Sequence, residues 1–189
     1  KAKQTYALPA DQVLGSFAFR EKGGLLLALR NGFYGFDPAT GKLDFLYHPE
    51  TDQPDNRLND GKCDRRGRYW VGTMYDPARE PRGSFYRFDA DHRCTKQFDG
   101  IVIPNAVAFS PDDKTLYVGD TTQQVIWACD FDLDDGVITN RRVFKNLAGQ
   151  PGRPDGATCD AEGYLWNAEF NGKRIVRYAP DGRVDRVIP

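Results

Sequence analysis

The stretch NAVAFSPDDKTLYVGD, residues 105–120, decides the fold. It opens on an amide side chain, runs through apolar residues into a Ser-Pro-Asp-Asp turn, and leaves that turn in a second run rich in β-branched and aromatic residues. Runs of about five to seven such residues bounded by Gly, Pro and Asp read as strands, and the turn between them as a hairpin. Working outward, the same design occurs three more times. GSFAFREKG from Gly15 leads into LLLAL, NDGKCDRRG from Asn59 into RYWVGTM, and DGATCDAEG from Asp155 into YLWNAEF. A second aromatic run follows each (FYGFDPATG, SFYRFDADH, VIWACDFDLDDG, RIVRYAPDG), and a short fourth strand closes most units. The units begin 44, 46 and 50 residues apart, and no segment sustains a 3.6-residue apolar period. Four strands per unit at this spacing predict an all-β fold, a β-propeller with about four blades, as a single domain over residues 1–189.

The repeat also predicts where function sits. In a propeller the first strand of each blade lines the central channel, so equivalent positions converge on the axis. Gly15, Asn59, Asn105 and Asp155 are equivalent, each eight residues before its turn residue, at the entrance of four innermost strands. Two amides and a carboxylate around one axis offer hard oxygen ligands that suit Ca²⁺, Mg²⁺ or Mn²⁺. The competing reading is that these residues only cap strand starts, as Asn and Asp often do by bonding nearby backbone N–H groups. Cys63 and Cys159 share one register with Phe19 and Phe109, a position expected to pack between blades.

Composition narrows the classes. Lys+Arg number 26 against 27 Asp+Glu, so the net charge of −1 lacks the basic excess of a nucleic-acid binder. No apolar run is long enough to span a bilayer, and the opening KAKQTYALPADQ lacks the apolar core of a secretory signal. Four cysteines spaced 31, 35 and 30 residues apart fit neither a zinc site nor a disulfide framework. They read as buried hydrophobes in a reducing compartment, so a cytoplasmic location is expected. Only three serines occur, none in a G-x-S-x-G elbow, and His48 and His92 read as solvated surface residues, which argues against a Ser-His-Asp triad. The Asp130–Gly136 stretch DFDLDDG lacks the closing Glu of a calcium loop and reads as a hairpin turn.

At NRLNDGK (residues 56–62) with GTM (72–74), then IPNAVAFSPDDKTLYVGDT (103–121), FDLDDGVITNRRVF (131–144) and RPDGATCDAEGYLWNAEFNGKRIVRY (153–178), the chain resembles the SMP-30/gluconolactonase/luciferin-regenerating-like family. The resemblance implies a six-bladed propeller that hydrolyses sugar lactones with one divalent cation (Ca, Zn, Mn or Mg) at its axis. By the same resemblance, Asn105 and Asp155 are metal ligands, with Asp155 also the general base. Arg57 and Asn59 hold the substrate's oxygens. Asp76, after GTM, is the candidate for the family's acidic substrate contact. The family's glycine after the metal-binding Asn is Ala106 here.

A further ligand, a Glu in an opening L-G-E-G-P-type segment, is expected upstream of everything present. The chain is therefore expected to be a fragment that begins in the outer strand of a preceding blade and lacks that blade's inner strands and the C-terminal blades. A small sugar lactone is the expected partner, with no nucleic acid or membrane. Two alternatives remain at this point: a non-catalytic calcium- or partner-binding propeller, and a metal-dependent phosphotriesterase.

Overall fold

The computed structural model describes residues 4–189. These residues form sixteen strands and no helix, arranged as four antiparallel four-stranded sheets, each with its strands in sequential order. Blade 1 is β1 (Ser16–Phe19), β2 (Leu25–Leu29), β3 (Gly32–Asp37) and β4 (Lys42–Tyr47). Blade 2 is β5 (Asn56–Cys63), β6 (Tyr69–Tyr75), β7 (Gly83–Phe88) and β8 (Cys94–Ile101). Blade 3 is β9 (Pro104–Phe109), β10 (Thr115–Asp120), β11 (Val125–Asp132) and β12 (Val137–Asn146). Blade 4 is β13 (Arg153–Cys159), β14 (Leu165–Phe170), β15 (Arg174–Tyr178) and β16 (Val184–Ile188). The first strands β1, β5, β9 and β13 adjoin one another between sheets, which makes them the inner strands. The repeat read from the sequence is thus the blade repeat.

Residues 4–14 form no strand, so the outer strand expected there is not seen. The segment lies against the side-chain face of blade 1 rather than along a sheet edge, where a ladder needs a partner. Tyr6 packs edge-on against Phe36 with centroids 5.0 Å apart and donates to the Pro38 carbonyl, while Leu8 joins Leu27, Leu29 and Phe36.

In blades 2 to 4 side chains close the hairpins between first and second strands. Asp64 Oδ1 accepts the backbone N–H groups of Arg66 and Arg68, and Asp160 Oδ1 those of Glu162 and Tyr164. The other carboxylate oxygen takes the indole N–H of Trp70 or Trp166, at 2.9 Å in both blades. Ser110 serves in blade 3, accepting from Thr115 N at 2.9 Å. The DFDLDDG segment is the β11–β12 hairpin, as read, with Asp132 Oδ1 accepting from Asp134 N and Asp135 N.

Apolar side chains pack between blades. Blades 1 and 2 share Ala28, Phe33, Tyr69 and Phe88; blades 2 and 3 share Trp70, Phe85, Val107 and Phe131; blades 3 and 4 share Tyr117, Ile126, Leu165 and Tyr178. Cys63, Phe109 and Cys159 pack against these three clusters in turn, as their shared register predicts. Phe19 departs from it, at 84% exposed, because no blade among the described residues packs on that side of β1. All four cysteines are free thiols, and burial pushes them up, to about 11 for Cys63 and Cys129 and about 12 for Cys94 and Cys159. That suits packing rather than thiolate chemistry. His92 is exposed in a turn as expected, whereas His48 is half-buried and its Nδ1 accepts from Glu50 N at 3.1 Å.

Candidate functional site

Three of the four inner strands carry a register shift where the polar residues lie. In blade 2, Leu58 pairs with Thr73 and Gly61 with Val71, so Asn59 and Asp60 oppose Gly72 alone. In blade 4, Pro154 pairs with Glu169 and Ala157 with Asn167, so Asp155 and Gly156 oppose Ala168. In blade 3, Asn105 pairs with Gly119 and Ala108 with Tyr117, leaving Ala106 and Val107 against Val118. A β-bulge adds a residue, bends the strand and re-aims its side chains. Asn59 and Asp155 therefore lie inside bulged strands rather than at strand entrances; β5 already begins at Asn56. Ala106 has φ 55°, which explains why a glycine is at home in that place; alanine, with the smallest side chain that has a Cβ, occupies it here.

A bulge takes backbone groups out of the ladder, and a buried polar group must find another partner. Side chains of neighbouring blades supply several of these. Ser16 Oγ donates to Asn59 O at 2.5 Å, Asn59 Nδ2 to Pro104 O at 2.9 Å, and Thr121 Oγ1 to Pro154 O at 2.7 Å. Val107 N donates to Asp60 Oδ2 at 3.2 Å, and Lys62 reaches from blade 2 to Ala157 O of blade 4 at 2.8 Å. These bonds stitch the inner strands together around the channel. Two glycines permit the approach. A Cβ on Gly15 would sit 2.5 Å from Leu58 O, and one on Gly72, in the GTM segment, 2.1 Å from Pro104 Cβ. The equivalent position in blade 1 is thus glycine because blade 2 passes against it.

The bulges open onto a cavity of about 430 Å³, within the usual range for small-molecule sites. Arg57, Asn59, Asn105 and Asp155 line it together, so four of the five residues singled out in the sequence share one pocket. Asp76, the fifth, stands behind the wall. It accepts from Arg57 Nε at 2.8 Å and Arg30 Nη2 at 2.5 Å, so both its oxygens are engaged. Burial pushes Asp76 up, but the hydrogen bonds and charges of Arg57 and Arg30 outweigh it and hold it below the ordinary carboxylate range. Arg57 also donates to Asn59 Oδ1 at 2.9 Å.

Asn105 is oriented by a one-way relay. Thr121 Oγ1 spends its proton on Pro154 O, so toward Asn105 it can only accept, and it does so from Asn105 Nδ2 at 2.8 Å. The amide oxygen is thereby turned away from Thr121, free to act as a ligand. The Asp155 carboxylate, half-exposed in the same pocket, receives no hydrogen bond among the described residues. A neutral amide oxygen and an uncommitted carboxylate facing one cavity fit a hard divalent cation. They supply two protein ligands, and the described residues hold no cluster of three His, Cys, Asp or Glu side chains suited to a metal.

Sequence reasoning missed Asp60, Thr121 and Arg79, which also line the pocket. Burial is the main cause that pushes Asp60 up, with the charge of Asp155 adding to it, against the Val107 N–H and Lys62. Burial pushes Lys62 down, and Asp60 partly offsets this. The signal for Asp60 was its place beside Asn59. Nothing in a strand pattern shows that both residues of a bulge can face a channel.

A 6-deoxy-6-sulfogluconolactonase of Pseudomonas putida is 40% identical over 95% of this chain and 61% of its own length. A regucalcin of Xenopus laevis is 36% identical, over 95% of this chain and 62% of its own. The chain thus spans about three fifths of the length of these curated relatives. The crystal structure of a calcium-binding protein, regucalcin, from Agrobacterium tumefaciens superposes with TM-score 0.85 at 37% identity, covering 90% of this chain and 58% of that one. With residues 1–189 matching throughout, the chain belongs to the family described as the SMP-30/Gluconolactonase/LRE-like region.

Proposed function

We propose that this chain carries the reacting site of a sugar-lactone hydrolase. The observation that carries the reading is the meeting of Asn105, Asp155, Arg57 and Asn59 in one pocket, on bulged inner strands of three successive blades. Relatives named as lactonases support the substrate class. Hydrolysis requires a water to attack the lactone carbonyl, charge to build on its oxygen, and the ring C–O bond to break, leaving a hydroxy acid. Asp155, which accepts no hydrogen bond among the described residues, would take the attacking water's proton. Arg57, held by Asp76, turns a charged donor toward the ring hydroxyls, and Asn59 adds an amide N–H. Asp76 acts on the substrate through Arg57 rather than by touching it. A divalent cation (Ca²⁺, Mg²⁺, Mn²⁺ or Zn²⁺) held by Asn105 Oδ1 and Asp155 would polarise the carbonyl and stabilise the developing oxyanion.

The test is pH-stat titration of the full-length protein with aldono-lactones. Acid release that a chelator abolishes and one of these cations restores supports the reading; turnover indifferent to chelator removes the cation from it. Cation binding with no turnover of any lactone favours the calcium-binding role that the Agrobacterium regucalcin's description suggests.

Thr121 gives a sharper test of the relay. Thr121→Val removes the oxygen that orients Asn105, and loss of such an outer partner typically weakens a metal site about 10- to 100-fold. Thr121→Ser, which keeps the hydroxyl, is expected to bind the cation like the parent. Calorimetric titration of both variants distinguishes the relay from mere packing.

A further inference from the structure

The pocket is electrically lopsided. Its blade 3–4 side offers Asn105 and the carboxylate of Asp155, whereas its blade 2 side carries Arg57 and Arg79 beside Asp60, whose charge Lys62 faces. Arg57 and Arg30 share the single charge of Asp76, so that trio is net positive. Arg79, on the segment between β6 and β7, has no hydrogen bond or ion pair among the described residues, yet it lines the pocket. Its neighbour Arg82 is occupied, stacked 3.9 Å over the Tyr75 ring and paired with Glu80. An exposed guanidinium at the lining of a cavity, with no partner among the described residues, is suited to a ligand anion, which it meets through two parallel N–H groups.

We infer that Arg79 reads an anionic substituent (sulfonate, phosphate or carboxylate) on the end of the substrate remote from the lactone carbonyl. This rests on the proposed lactonase reading for where the carbonyl lies. With the carbonyl at Asp155, the remainder of the sugar extends toward blade 2. Its hydroxyls meet Arg57 and Asn59, and its far terminus comes within the field of Arg79. The order of charges along the pocket then matches a molecule that is polarised at one end and anionic at the other.

The test compares the full-length protein with its Arg79→Gln and Arg79→Lys variants on gluconolactone and on the same lactone bearing a 6-phosphate or 6-sulfonate. Loss of a charged hydrogen-bonded contact is expected to lower kcat/KM for the anionic lactones about 10- to 100-fold in Arg79→Gln, with the neutral lactone changed less than about twofold. Arg79→Lys, which keeps the charge but not the fork, is expected to fall between. Equal effects on neutral and anionic lactones, or no preference in the parent, overturn the inference. Calorimetric binding of 6-phosphogluconate against gluconate gives the same comparison without turnover. A protein that hydrolyses no lactone but still binds the phosphorylated acid through Arg79 refutes the lactonase reading and supports the arginine's role; one that hydrolyses lactones without regard to Arg79 does the reverse.

Discussion

On the proposed lactonase reading, replacing Asp155 by alanine is expected to lower lactone turnover in the full-length protein about 1,000-fold or more while leaving the fold intact. Both halves follow from the structure. Asp155 shares the pocket with Asn105 and accepts no hydrogen bond among the described residues, so its removal takes away the proposed proton acceptor and a proposed cation ligand together. Losing a general base typically costs about 10²–10⁴ in rate where it acts alone. Here two roles fall at once. The same carboxylate makes no hydrogen bond among the described residues and is only half-buried, so stability is expected to change by no more than about 0.5 kcal/mol. Steady-state kinetics beside chemical denaturation measure the two effects. A variant that unfolds at markedly lower denaturant would show that Asp155 holds the structure; one that keeps parental turnover would show that it does no chemistry.

Trp70→Ala should show the opposite pattern, a loss of about 3–5 kcal/mol of unfolding free energy with every pocket residue still present. Trp70 is fully buried between blades 2 and 3, packed edge-to-face with Phe131 at 5.6 Å and Phe109 at 6.2 Å. Its indole N–H also satisfies Asp64 Oδ2. Truncation leaves a cavity at a blade interface and removes one donor from a buried carboxylate that keeps Arg68 Nε at 2.7 Å. Denaturant midpoints measure the loss, and Trp70→Phe is expected to recover part of it. A change under about 1 kcal/mol would mean that the blades do not depend on this contact.

The blade repeat was legible because the units share a short first strand, a tight turn and a second strand of large apolar side chains, and in blades 2 to 4 a polar opening and a turn that a carboxylate or hydroxyl closes as well. Equivalence between repeats also placed Asn59, Asn105 and Asp155 near one axis, and the pocket gathers all three. The bulges were not legible. They depend on which backbone groups lose their ladder partners, and a strand's composition does not record that. Asp60 escaped notice because a residue adjacent to an inward-facing one is expected to face outward. Thr121 escaped because its part, orienting Asn105, depends on its hydroxyl donating to a carbonyl of the next blade, 33 residues on. Asp76, the candidate acidic substrate contact, is clamped between two arginines, a contact spanning blades 1 and 2 that no spacing within one repeat reveals. Ala106 was the reverse case, a departure from the family's glycine whose left-handed backbone shows what the glycine is for.

The most direct measurement is anomalous scattering from crystals of the full-length protein grown with Mn²⁺. The account predicts one strong peak in the pocket, within about 2.0–2.6 Å of both Asn105 Oδ1 and an Asp155 oxygen. A manganese bound elsewhere, or a pocket in which these two oxygens lie too far apart for one ion to touch both, would contradict it.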